Sequence, residues 1–239
     1  MDKVSVIIPT YNRFTYLLNT IRSVKEQTYT NIEIIVVNDN STQIEYYEYD
    51  WPNNNVMIIH LEKNSKEEFG YASPGFVRNK GIEKSSGKYI AFCDDDDIWF
   101  PNKIQLQLNA MQETGCKMSS TDGFIGHNIF DPKKSYNKYN AEHYYKTLQN
   151  IYAKKGSKLL DHGFPIIWDL HFLKIHNCII CSSVIIEKII LDKINNFKNK
   201  KPPGEDYDCW LRALQYTNNV YVKDVCFYYD SLHGDGRNY

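Results

Sequence analysis

No stretch of this chain approaches the ~18 consecutive apolar residues of a membrane-spanning helix, although 42% of its 239 residues are hydrophobic. The first strand-like run begins at Val4, which leaves no room for the charged and apolar regions of an export signal. The expectation is a soluble, cytoplasmic protein without a transmembrane segment, with peripheral attachment to a membrane left open. An excess of either charge is also lacking. The 28 Lys and Arg against 29 Asp and Glu leave a net charge of −1, so no global field draws in nucleic acid; a nucleic-acid partner is disfavoured. Glycine is missing where a dinucleotide would need it. The first apolar run exits through Pro9-Thr-Tyr-Asn-Arg13 with no G-x-G-x-x-G, which argues against an NAD enzyme. Cysteine is present six times but without a framework. Cys178-Ile-Ile-Cys181 has redox or zinc spacing, yet no second pair accompanies it. It lies in an apolar segment that reads as a core strand from about Ile179 to Ile186, so buried reduced thiols are expected.

What is present is an alternation of short apolar runs and helical patterns. Val4 to Ile8 and Ile32 to Val37 read as buried parallel strands, and Leu17, Leu18, Ile21 and Val24 recur at helical spacing between them. Val56 to Leu61, a helix around Gly75 to Lys84 and a strand over Lys88 to Cys93 continue the pattern, which predicts an α/β fold with a mainly parallel sheet. Ile98 to Pro101 reads as the opening of a helix through Leu106, Leu108 and Met111. Residues 122–165 are the least periodic part and carry Tyr136, Tyr139, Tyr144, Tyr145 and Tyr152. Those rings suit either a sugar face or the packing of a short helix. A helix with Trp210, Leu211 and Leu214 and a last strand over Val220 to Tyr229 close the fold. The length suits a single domain, residues 1–239, with a nucleotide-binding half to about residue 100 and a more irregular half after it.

Four consecutive carboxylates, Asp94 to Asp97, follow the apolar run ending at Cys93. Strand alternation places Asp94 and Asp96 on one side and Asp95 and Asp97 on the other. Charges so close repel unless a cation joins them, and clustered carboxylates suit Mg²⁺ or Mn²⁺. A solvated acidic turn is the plain alternative. Location favours the cation, because open α/β sheets bind ligands beyond the carboxyl ends of their strands.

These segments, in order, resemble the family 2 glycosyltransferases. Val4 to Arg13 is similar to that family's first strand and donor loop, Gln27 to Thr42 to its second strand, and Arg78 to Gly81 with Ser86 to Asp97 to the segment leading into its DxD motif. Gly204 to Arg212 resembles the block that holds its catalytic base. The resemblance implies a GT-A fold, a mainly parallel Rossmann-like sheet flanked by helices, and an inverting transfer from a nucleotide-sugar donor, a UDP-sugar first, to a carbohydrate or glycoconjugate acceptor. It implies donor contacts from Pro9, Thr10, Tyr11, Asp39, Arg78, Asp94 and Asp95, with Asp39 accepting from the uracil N3–H. It implies a divalent ion, Mn²⁺ or Mg²⁺, on Asp96 with His233 as a further ligand, Asp206 as general base and Glu205 orienting the acceptor. For both acids of the last pair, helix capping is the structural alternative. The chain departs from the family in one place: Asn38 stands where the first of two paired acids is usual, and we expect it to cap the turn. Lys198, Lys200 and Lys201 could meet phosphate or lie in a solvated loop. The competing functions are a metal-dependent nucleotidyltransferase, which should carry glycines and a basic residue after its first strand to hold a triphosphate, and an inactive nucleotide-sugar-binding relative.

Overall fold

The computed structural model describes residues 1–232. β1 (Val4–Thr10) is buried along its whole length, as a parallel strand covered on both faces must be. Ile7 packs into the core on one face of the sheet, and Val6 and Ile8 into the core on the other, following the two-residue period of a strand. α1 (Phe14–Lys25) comes next. Leu17, Ile21 and Val24 are buried along one stripe, and Arg22 and Lys25 occupy the last turn, where the helix dipole favours cations. β2 (Ile32–Asn38), the single turn α2 (Glu45–Glu48), β3 (Val56–His60), α3 (Ser65–Phe69), α4 (Pro74–Lys84) and β4 (Tyr89–Phe92) complete the first half.

The second half runs β5 (Ile98–Trp99), α5 (Lys103–Thr114), β6 (Met118–Gly126), β7 (Asn137–Lys138), α6 (Tyr145–Lys154), β8 (Ile167–Trp168), α7 (Leu170–Ile175), β9 (Ile185–Glu187), α8 (Lys188–Lys193), α9 (Glu205–Ala213) and β10 (Asn219–Asp230). Among the described residues one sheet takes all ten strands, in the order β3-β2-β1-β4-β9-β6-β10-β5, with β7 added to β6 and β8 to β10. β1, β2, β3 and β4 are parallel, as are β6 and β10. The antiparallel pairings are only two or three residues long. A mainly parallel sheet flanked by helices, as expected, is therefore what forms.

α4 lies so close to β1 that a Cβ on Gly81 would meet Ile7 Cγ2 at 2.5 Å. Real Cβ atoms do not come that near, so only glycine lets the helix settle on the sheet. Arg78, one turn earlier on the same face, is thereby carried to the carboxyl edge of the strands, where it is 4% exposed.

Four local expectations are corrected. Ile98 and Trp99 do not open a helix; they pair with Tyr228 and Phe227 as β5, and α5 begins at Lys103. The apolar run at 179–186 is a strand only at its end: Ser183 and Val184 donate back to the carbonyls of Ile180 and Cys181, making a 3₁₀ turn over Cys181–Ser183 before β9. The 122–165 segment is more ordered than its sequence suggests, since it holds the end of β6 and the helix α6. The aspartates do not alternate. The chain leaves β4 at Phe92 and turns at once, Asp97 N–H donating to Asp94 O at 3.2 Å, so strand geometry no longer sorts their side chains. All six cysteines are buried and unbridged, including Cys178 and Cys181, in keeping with the thiol reading.

Candidate functional site

The carboxyl ends of β1 and β4, the first turn of α9 and one face of α4 converge on a cavity of about 420 Å³. Pro9, Arg78, Asp94, Asp95, Asp96, Glu205 and Asp206, all named from the sequence, line it together. Its position is the one that open parallel sheets favour for ligands.

The acids are held by two arginines. Arg13, four residues beyond Pro9 on the loop out of β1, donates from Nη1 to Asp95 Oδ1 at 3.0 Å and to Asp96 Oδ2 at 2.8 Å. Arg78 donates from Nη2 to Asp94 Oδ1 at 2.6 Å, and its Nη1 lies 3.7 Å from Glu205 Oε1. Burial, then the neighbouring Asp95, pushes the Asp96 carboxyl far above the usual range, against the pull of Arg13. Burial also raises Asp95, again opposed by Arg13. Asp97 faces away from the cavity. Its carboxylate accepts from the backbone N–H of Asp230 at 3.0 Å, and Thr20 Oγ1 donates to its carbonyl at 2.8 Å, so Asp97 ties the turn to β10 and α1.

Glu205 and Asp206 open α9 behind Gly204, whose φ of +105° is a backbone state that suits glycine. Three acids, Glu205, Asp206 and Asp208, crowd this first turn, where the helix dipole stabilises negative charge. Asp206 Oδ1 accepts from the N–H of Tyr207 at 2.6 Å. Even so, burial and then the charge of Glu205 push its carboxyl up to about 6. That value brings it near the operating range of a proton acceptor in neutral solution.

Not every expected residue reaches this wall. Thr10 is buried and shares a 2.6 Å hydrogen bond with Tyr46 Oη. Tyr11 does not line the cavity. Asp39 is fully enclosed, with Oδ1 accepting from Ser65 N–H at 2.8 Å and Oδ2 from Ser65 Oγ at 2.7 Å. Asn38 caps the turn after β2 as expected, its Oδ1 accepting from Ser41 N–H at 2.9 Å. Lys198, Lys200 and Lys201 stay off the cavity, and Lys200 pairs with Asp208 at 3.1 Å. His233 lies outside the described residues. Among the five tyrosines of the 122–165 segment, Tyr139 faces the cavity, whereas Tyr152 is wholly buried and donates to Phe172 O at 2.8 Å.

Arg13 is the residue that sequence reasoning passed over. Its signal was available in principle: four adjacent acids call for a cation, and the neighbouring strand exits through a loop that ends in arginine.

The cavity's donor set fits a divalent ion. Among the described lining residues, five carboxylates (Asp94, Asp95, Asp96, Glu205 and Asp206) face two guanidinium groups (Arg13 and Arg78), which leaves negative charge over. Among the described residues no three His, Cys, Asp or Glu side chains are placed to hold a metal by themselves. One or two carboxylates completed by substrate phosphates is the usual arrangement for Mg²⁺.

Comparison with known proteins follows the same line. Residues 5–176 match the family described as Glycosyl transferase family 2. An uncharacterized glycosyltransferase of Rickettsia bellii is 35% identical over 211 residues, which cover 87% of this chain and 26% of that protein. The Escherichia coli UDP-Glc:alpha-D-GlcNAc-diphosphoundecaprenol beta-1,3-glucosyltransferase WfgD is 25% identical over 90% of this chain and 71% of its own length. Among solved structures, Staphylococcus aureus TarS 1–349 in complex with UDP superposes with a TM-score of 0.66 at 20% identity, covering 97% of this chain and 61% of that one. The fold is thus the GT-A fold that the resemblance implies, although the chain spans only about a quarter of the Rickettsia bellii protein.

Proposed function

The chain belongs to glycosyl transferase family 2, and on that footing we propose that its acidic cavity transfers a sugar from a UDP-sugar to a glycan hydroxyl, inverting the anomeric carbon. The observation that carries this reading is the set of five carboxylates facing two arginines at the carboxyl edge of a parallel sheet. WfgD, whose name gives UDP-Glc as donor, and TarS, crystallised with UDP, support a uridine donor.

Each residue then has a task. Asp206 takes the proton of the attacking hydroxyl as the new bond forms, and Glu205, held by Arg78, orients that hydroxyl. Arg13 keeps Asp95 and Asp96 together despite their mutual repulsion. Arg78 fixes Asp94 and brings positive charge towards the diphosphate. Asp96, with Asp94 beside it and His233 as a candidate third ligand, would hold Mn²⁺ or Mg²⁺, which when bound neutralises charge on the leaving diphosphate. Pro9, Thr10 and Tyr11 border the nucleotide, and Asp39 accepts from the uracil N3–H through lone pairs that Ser65 leaves over.

Calorimetry with UDP and CDP in the presence of Mn²⁺ tests the donor. UDP is expected to bind about tenfold more tightly or better, since cytosine has no N3–H and leaves a buried acceptor unmet, a loss of about 1–3 kcal/mol. Equal affinities would remove Asp39 from the base contact and leave it as the anchor of Ser65.

A further inference from the structure

Besides the acids and arginines, the cavity has a wall of Tyr139, Tyr207, Tyr229, Asn177, Ile179 and Ile180. Its construction is specific. Tyr139 opens a single π-helical turn, Tyr139–Tyr144, directly after β7. Asp122, fully buried on β6, receives the two N–H groups that follow: Oδ1 accepts from Asn140 at 2.9 Å and Oδ2 from Ala141 at 3.0 Å. Asn140 in turn donates from Nδ2 to the carbonyl of Cys178 at 3.1 Å, between the lining residues Asn177 and Ile179. One buried carboxylate and one buried amide therefore join the two segments of this wall. Burial raises Asp122, and the amide hydrogen bonds oppose that rise. Such a group is costly to bury and serves to specify a geometry. The rings are fixed as well. Tyr139 meets Tyr229 edge-on, centroids 5.8 Å apart at 87°, and Tyr207 Oη donates to Leu173 O at 2.7 Å.

Charge narrows what this wall can hold. Among the described lining residues, Arg13 and Arg78 are the only cations, and both are engaged by aspartates; no lysine or histidine is present. Among the described lining residues five carboxylates outnumber these two cations, so an anionic acceptor would meet net repulsion. Aromatic and isoleucine faces instead suit the C–H face of a sugar ring.

We propose that the wall of Tyr139, Tyr207 and Tyr229 is the acceptor subsite, that it takes an uncharged sugar ring, and that Asp122 and Asn140 are its positioning residues. This rests on the sugar-transfer reading above. The test is UDP release from UDP-sugars with Mn²⁺, using p-nitrophenyl β-glucoside and β-N-acetylglucosaminide as neutral acceptors and p-nitrophenyl β-glucuronide and glycerol 3-phosphate as anionic ones. Neutral glycosides should exceed the anionic acceptors at least tenfold in kcat/KM. Tyr139→Leu should raise acceptor KM about tenfold and leave donor KM in place. Tyr139→Phe, which keeps the ring face, should recover most of that loss. Asn140→Ala should act as Tyr139→Leu does, on acceptor KM and not on donor KM. Preference for the glucuronide or for glycerol 3-phosphate overturns the proposal, as does a Tyr139→Leu enzyme with unchanged acceptor KM or with donor KM shifted equally. If no acceptor elicits UDP release and UDP itself does not bind, the sugar-transfer reading fails and the acceptor site with it.

Discussion

Asp206→Asn is expected to lower sugar transfer by about 10²-fold or more, to leave UDP affinity near wild type and to raise the melting temperature. The loss follows from chemistry: an amide cannot take the hydroxyl proton, though it fills the same space and can still accept from Tyr207 N–H at the start of α9. The stability gain follows from linkage. Burial and Glu205 hold Asp206 at about 6 against an ordinary 3.8, so the folded chain binds more protons than the unfolded one between those values. Stability from this group is present below the lower value, declines as pH rises through the interval, and is gone above about 6. The ionised carboxylate then costs on the order of 2 kcal/mol after discounting for partial exposure. An asparagine escapes that cost, which corresponds to about 5 °C at this size. The same proton places the activity profile: wild-type transfer should fall as pH drops through about 6. Glu205→Gln should be milder. Scanning calorimetry and initial rates decide the matter, and a variant with near-normal transfer would assign the base elsewhere, Glu205 first. Loss of UDP binding together with transfer would make Asp206 a donor-site residue instead.

Asp96→Ala should remove the Mn²⁺-dependent part of UDP affinity, at least tenfold or about 1.4 kcal/mol, with the fold intact. Asp96 is buried beside Asp95, and Arg13 pairs with both. Deleting it relieves repulsion and leaves Arg13 its bond to Asp95, so melting temperature should hold or rise. Calorimetric titration of UDP with and without Mn²⁺ separates the two roles. Unchanged cation-dependent affinity would take Asp96 out of the metal site, and a collapse of stability would make it a structural partner of Arg13.

The parts of this molecule that could be read in advance are those whose physics is local. β1 and β2 are continuous apolar runs because both faces of a parallel strand are covered. The acids of 94–96 and 205–206 stand next to apolar elements that fix their place, and they meet in one cavity. What escaped depends on partners far away in the chain. β5 is two residues long and exists only because Phe227 and Tyr228 pair with it. The apolar run before β9 is buried without being a strand, since turn hydrogen bonds satisfy its backbone. Arg13 is far from its partners in sequence; its task appears once Asp95 and Asp96, more than eighty positions on, fold against it. Tyr139 was one ring among several in an aperiodic segment, and a buried carboxylate on β6 singles it out.

Inverting transfer fixes what leaves the cavity along with the sugar: UDP, and a product of opposite anomeric configuration. Incubation with UDP-α-sugars, Mn²⁺ and a neutral p-nitrophenyl glycoside, followed by ¹H NMR of the products, reads this directly. The predicted result is UDP and a β-linked disaccharide, formed by wild type and not by Asp206→Asn. Release of UMP with a sugar phosphate, or an α-linked product, would contradict it.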